Sequence, residues 1–227
     1  TAAQKEALTT IENNDAVLLH GPALSGKTEA ALTYAHKVLG AGGQVLILVP
    51  DIITSAELIK TVEEKFGQSN IHMWHSKVLL SKRKITAAEI LSGKPCIVIG
   101  TRSACLLPFK NLRLSIMSME EDEAFKQEDN KPYYHSREVL LFRSAEIKSK
   151  VILISAAPSL EALHLAEQNK IKTVFFKDSL PAFAKEPQVI VTQKTGPSSK
   201  FISAELQEAL GQNMLNGGQS LLLLNRL

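Results

Sequence analysis

Residues Gly21 to Thr28 read GPALSGKT and fit the spacing G-x-x-x-x-G-K-[ST]. The chemistry of such a stretch comes from its backbone. Glycines let the chain curl into a loop whose N–H groups converge on phosphate oxygens, and a following helix adds its positive end. In that arrangement Gly21, Ser25 and Gly26 belong to the cradle, and Lys27 reaches the β and γ phosphates. The Thr28 hydroxyl holds Mg²⁺ that arrives with the nucleotide. By residue frequencies, a chance match in a chain of this length is on the order of one in a hundred. The expected ligands are ATP or ADP with Mg²⁺.

A phosphate cradle that splits its ligand also needs acids. An Asp at the tip of a neighbouring strand holds Mg²⁺ through water, and a Glu orients the attacking water. The stretch that should supply them is Leu112 to Gln127, LRLSIMSMEEDEAFKQ. Its apolar strand ends in Ser118 and Met119, and the acids Glu120, Glu121, Asp122 and Glu123 come late. Glu120 and Glu121 are therefore the candidates, both displaced. With an extended backbone, Glu120 would share a face with Ser118 but sit about 6.6 Å further along, at ~3.3 Å per residue.

Those loops need elements to position them. Short apolar runs at 15–20, 44–49, 71–75, 96–100, 112–117, 150–155 and 172–176 read as buried strands. Helical patterns occupy 27–40, 55–66, 136–147 and 159–168. Continuous apolar strands alternating with helices imply an α/β fold, a mostly parallel sheet covered on both faces. The phosphate loop falls between a strand and a helix, as its chemistry requires.

Residues 177–200 change texture, with three prolines, Gly196 and several serines, and read as a linker. One helix and one strand (QSLLLL) follow in 201–227. Alone they cannot close a domain, so this part reads as the opening of a second one. The expected division is 1–176, 177–200 and 201–227.

Bulk properties exclude little. The chain has 227 residues, 44% apolar and 22% charged, with a net charge of +3. No apolar run approaches the ~20 residues of a membrane span, and no secretory signal pattern is visible. Cys96 and Cys105 lack a C-x-x-C partner, which argues against zinc and for reduced core thiols in the cytoplasm. The cluster Lys77, Lys82, Arg83 and Lys84 reads either as a solvated helix face or as a contact to phosphates.

Several segments together resemble the PriA family of replication-restart DNA helicases, in superfamily 2. They are GPALSGKTEAAL, VLILVPDI, WHS (74–76), IVIGTRSACLLPFKNLRL (97–114), FKQEDNKPYYHSREV (125–139), ISAAPSLEAL (154–163) and LLLLNRL. GTRSA and KQ…YHxR are the more specific of these. The resemblance implies a RecA-like P-loop NTPase lobe followed by the start of a second RecA-like lobe. It also implies ATP-driven movement along single-stranded or forked DNA with 3′ to 5′ polarity, and primosome or replication-restart proteins as partners. Gln4, in TAAQKEAL, resembles the family's glutamine motif and would contact adenine.

The resemblance also locates departures. The family's D-E-E-H falls on Ser118, Met119, Glu120 and Glu121, so the metal-holding Asp is Ser118 and the water-orienting Glu is Met119. Ala157 replaces a threonine that serves to couple the lobes. Met119 cannot handle a proton, and losing a positioned base costs ~10²–10⁴-fold in rate. The expectation is a lobe that binds nucleotide and hydrolyses it slowly or not at all. The alternative is a catalytically dead scaffold module for primosome assembly.

On the DNA side, the resemblance places Thr101, Arg102 and Ser103 against the nucleic-acid backbone; a capped turn with a solvated Arg is the plain alternative. Phe125, Lys126, Tyr133, Tyr134 and Arg137 form an aromatic-basic stretch suited to stacking on bases, or else the tyrosines pack beneath the loop. His75 and His135 read as hydrogen-bonded structural histidines, and Trp74 as core.

Overall fold

The structure, a computed structural model, describes residues 1–177 and 202–223. The chain divides into two compact units, Thr1–Ala184 and Lys185–Leu227.

In the first unit, seven strands form one parallel sheet. They are β1 (Ala16–His20), β2 (Gln44–Leu48), β3 (Ile71–Trp74), β4 (Ile97–Gly100), β5 (Leu112–Ser118), β8 (Lys150–Ser155) and β9 (Lys172–Phe175). Their order is β3-β4-β2-β5-β8-β1-β9. A two-stranded antiparallel hairpin, β6 (Lys126–Gln127) and β7 (Tyr134–His135), stands apart from it. Six helices pack on this unit: α1 (Ala2–Asn13), α2 (Lys27–Gly40), α3 (Ala56–Phe66), α4 (Leu80–Ser92), α5 (Ser136–Ile147) and α6 (Leu160–Glu167). The expected α/β architecture is present, with strands at every run the apolar pattern marked.

Alternation along the strands builds a core on each face of the sheet. Val17, Leu19, Ile47, Ile99 and Ile152 pack with Ala7 and Ile11 of α1, Ala31 and Ala35 of α2 and Val62 of α3. Leu18, Leu46, Val98 and Leu153 face the other way, towards Ile90 of α4, Leu140 of α5 and Ala162 of α6. Each fully buried Leu or Ile contributes about 1.5–3 kcal/mol. Because both faces are buried, β1, β2, β4 and β8 read as apolar runs with polar residues only at their ends.

Two helices lie where the apolar pattern assigned none. The first is α1, capped by Thr1, whose hydroxyl accepts from Gln4 N at 3.3 Å. The second is α4, only two of whose residues, Thr86 and Ile90, are buried. So narrow an apolar stripe gives little periodic signal. Lys82, Arg83 and Lys84 lie on α4, with Lys82 and Lys84 exposed. Cys96 and Cys105 are buried free thiols. Burial pushes the Cys96 thiol up to about 11 and raises that of Cys105.

In the second unit, α7 (Ala204–Leu215) is the described helix, capped by Ser203, whose hydroxyl accepts from Leu206 N at 3.2 Å. The strand expected from QSLLLL is not formed over its described part, residues 219–223. Leu221 and Leu223 are almost fully exposed. A strand needs a partner to satisfy its backbone, and none pairs with this segment among the described residues. The expected linker falls outside the described residues apart from Lys177. Among the described residues, no helix is long and apolar enough to cross a membrane.

Candidate nucleotide and nucleic-acid site

The parallel sheet brings the functional loops to one end. Register places His20 of β1 beside Ser155 of β8, and Ser118 of β5 beside Ile154 of β8. The loops after β1, β5 and β8 therefore emerge side by side, and two backbone bonds tie them together. Gly21 N donates to Ser155 O at 3.3 Å, and Glu120 N donates to Ile154 O at 3.1 Å.

The phosphate loop runs from Gly21 into the first turn of α2. Two of its glycines are obligatory for different reasons. A Cβ on Gly21 would lie 2.3 Å from the Phe176 carbonyl oxygen. Gly26 has φ of +93°, a left-handed conformation that disfavours side chains, and a Cβ there would meet the Gln4 amide nitrogen at 2.8 Å. Gln4 Nε2 donates to Gly26 O at 3.4 Å, so the glutamine expected to serve the nucleotide does stand against the loop. Thr28 is half-buried at the start of α2.

Lys27 is buried and turned into the loop. Its Nζ donates to the carbonyl oxygens of Gly21 at 2.5 Å and Pro22 at 2.6 Å, and to Ser25 Oγ at 3.3 Å. Burial lowers the ammonium below the ordinary lysine value, and the charge of the Glu121 carboxylate opposes that. The cation is thus held by the loop's own oxygens.

The tip of β5 is not extended past Ser118. Met119 takes a left-handed conformation, φ +53°, and Asp122 N turns back to donate to Met119 O at 3.0 Å. The four acids scatter as a result. Glu120 is fully buried. Its carboxylate accepts from Arg137 Nη1 and Ser159 N, both at 2.8 Å, and from Ser159 Oγ at 3.0 Å. Arg137 Nη1 also donates to Ser159 Oγ at 2.8 Å. This ties the loop after β5 to the first turns of α5 and α6. Glu120 is therefore occupied as a structural anion, which corrects the extended-strand geometry expected for it. Asp122 accepts from Ala124 N at 2.8 Å, and Glu123 is exposed. Glu121 is half-buried, and its Oε2 is sealed from solvent without a hydrogen-bond partner.

Among the described residues, no group of three His, Cys, Asp or Glu side chains is placed to hold a metal ion. Mg²⁺ would be held only as a companion of the nucleotide, and the side chains left to meet it are the Thr28 hydroxyl and the unpartnered Glu121 oxygen. Magnesium is usually bound in this way, through one or two carboxylates plus phosphates.

A groove of about 680 Å³ opens at the same end of the sheet, beyond β2, β4 and β3. Thr101, Arg102 and Ser103 line it together with Trp74, Gln127 and Tyr134. The 3₁₀ turn Arg102–Leu106 starts directly after β4. Arg102 Nη1 donates to the Lys126 carbonyl, which draws the hairpin onto the groove wall. Lys126 is exposed, and its ammonium is raised by its bond to Glu128 at 2.5 Å. Tyr134 is half-buried and Tyr133 exposed.

Two members of the aromatic-basic stretch are not on this surface. Phe125 is fully buried in the core, and Arg137 is spent on Glu120 and Ser159. His135 Nδ1 accepts from Arg137 N at 3.2 Å and caps α5. Burial, then the Arg137 charge, hold its imidazole below the ordinary value. Trp74 is half-buried instead of core, with the Arg83 guanidinium 5.7 Å from its ring centroid. Sequence reasoning missed Asp51 on the groove wall. Its carboxylate accepts from Ile53 N at 2.9 Å and Thr54 N at 3.2 Å. The available signal was Pro-Asp directly after a strand.

The DEAD/DEAH box helicase family model matches residues 1–165. The chain belongs to the DEAD/DEAH box helicase family. Within this helicase family it is similar to replication restart protein PriA. The protein of that name from Rickettsia prowazekii is 35% identical over 98% of this chain and 35% of its own length. That from Synechocystis sp. is 36% identical over all of this chain and 28% of its own length. The chain thus spans about a third of the length of the curated relatives it matches. Among solved helicase structures, RecG bound to a three-way DNA junction superposes with a TM-score of 0.57 at 22% identity, over 80% of this chain and 24% of that one. A DEAD box protein from Methanococcus jannaschii gives 0.56 at 19% identity, over 78% of this chain and 50% of that one. The fold is the RecA-like lobe of these helicases.

Proposed function

We propose that the chain is the ATP-binding motor lobe of a PriA-like DNA helicase in replication restart, translocating 3′ to 5′, with hydrolysis impaired at the tip of β5. Residues 1–176 form the first RecA-like lobe, 177–200 its linker and 201–227 the opening of the second. The observation that carries the reading is a complete phosphate cradle beside a strand tip made of Ser118 and Met119, neither of which ionises at neutral pH.

In this reading Gly21, Ser25, Gly26 and Lys27 hold the phosphates, Thr28 the Mg²⁺, and Gln4 borders the base. Mg²⁺, when bound, supplies charge neutralisation on the phosphate oxygens. Lys27 leaves the carbonyls of Gly21 and Pro22 to meet the phosphates. Thr101, Arg102, Ser103, Lys126 and Tyr134 border the path of a single strand. With Glu120 held by Arg137 and Ser159, no carboxylate among the described residues stands at the Met119 position to orient water.

The absence of a base at Met119, together with Ala157 in place of the family threonine, favours a second reading in which the lobe is a nucleotide-binding scaffold for primosome proteins. DNA-stimulated ATP turnover by the full-length protein separates the two. The motor reading expects slow turnover that rises in Ser118→Asp with Met119→Glu. Turnover undetectable in both proteins, with nucleotide still bound, favours the scaffold. Brisk turnover by the unaltered protein on forked DNA refutes impaired hydrolysis.

A further inference from the structure

We infer that Glu121 takes over from the missing strand-tip acid as the protein carboxylate that meets the nucleotide's divalent cation. This rests on the nucleotide-binding reading above and concerns one residue within it.

The displacement follows from the backbone. Met119 at φ +53° ends the strand one residue after Ser118 and reorients the chain. The three other acids are then accounted for. Glu120 is consumed by Arg137 and Ser159, Asp122 by the N–H of Ala124, and Glu123 is exposed. Glu121 alone keeps an oxygen that is shut off from water and accepts nothing. Its charge acts on the buried Lys27 ammonium across the loop. A desolvated carboxylate oxygen without a donor is costly. The Lys27 charge offsets part of that cost but gives the oxygen no hydrogen bond, so the position is suited to a cationic ligand.

The sign of the charge selects the ligand. A carboxylate beside a phosphate cradle repels phosphate, and the repulsion is strong where water is scarce. A hard divalent cation between carboxylate and phosphate reverses the interaction for both. Glu121 therefore makes nucleotide binding conditional on the cation: it opposes the bare anion and favours the Mg²⁺ complex.

The test is a titration of fluorescent ADP and ATP into the full-length protein, in EDTA and in Mg²⁺, for the unaltered protein, Glu121→Gln and Glu121→Asp. Glu121→Gln is expected to bind nucleotide in EDTA at least as well as the unaltered protein. Its gain in affinity from Mg²⁺ is expected to shrink by about tenfold or more. Glu121→Asp, which keeps the charge, is expected to retain part of that gain. A thermal melt of each variant confirms that the loop change leaves the fold intact. An unchanged Mg²⁺ gain in Glu121→Gln overturns the assignment and leaves the nucleotide reading standing. Absence of nucleotide binding under every condition overturns both.

Discussion

Removing Arg137 should destabilise the first unit more than any exposed substitution would. Arg137 is 3% exposed and Glu120 is 0% exposed, joined at 2.8 Å. Arg137→Ala leaves a buried carboxylate with only the N–H and hydroxyl of Ser159. An uncompensated buried charge of this kind costs about 3–5 kcal/mol, a large part of the ~5–15 kcal/mol that holds a domain together. Glu120→Ala should cost somewhat less. The stranded guanidinium keeps Glu138 at 3.2 Å and Glu161 at 3.9 Å, both on exposed side chains. Glu120→Gln is no remedy, because its amide group sets donor against donor at either Arg137 or Ser159. The double variant Glu120→Ala with Arg137→Ala removes both charges, so its loss should fall short of the sum by about 2–3 kcal/mol. Urea unfolding of the 227-residue chain, followed by the fluorescence of Trp74, its single tryptophan, measures all four terms in the unit concerned. A loss below about 1 kcal/mol for Arg137→Ala, or a coupling below about 0.5 kcal/mol, would refute the placement of this pair in the interior.

Arg102→Ala should weaken single-stranded DNA binding by the full-length protein about five- to tenfold. It should also flatten the dependence of log K on log salt by about 0.7, the signature of one lost phosphate contact. Anisotropy titrations at several salt concentrations check this, and an unchanged slope would remove Arg102 from the DNA path. The pH dependence of folding has a defined sign. His135 and His75 both titrate below the ordinary histidine value in the fold, so the unfolded chain takes up their protons first. Stability is then present above about pH 6.5 and declines as pH falls from there through the folded values. His135→Asn keeps a capping acceptor without a titrating ring and should make that decline shallower, as read from urea midpoints between pH 7.5 and 5.5.

Local chemistry by itself determined most of the frame of this protein. Apolar runs such as Lys150–Ser155 and the helix Ser136–Ile147 match their elements residue for residue, because a strand buried on both faces or a well-capped helix is marked by its own composition. The phosphate loop is legible for the same reason: its function resides in consecutive backbone groups. The loss at Ser118 and Met119 is a fact of residue type. What tertiary structure alone decided is where the long side chains of the acidic stretch point. Four consecutive acids look equivalent in one dimension. A single left-handed residue, Met119, sends Glu120 inward to Arg137 and Ser159, residues 17 and 39 positions further along the chain, and leaves Glu121 with an oxygen that has no partner. The same holds for Phe125 and Arg137, whose types suit a nucleic-acid surface but whose burial removes them from it. Backbone propensity is encoded over a few neighbouring residues. The partner of a buried charge is set by strand order, which brings distant loops to one end of the sheet.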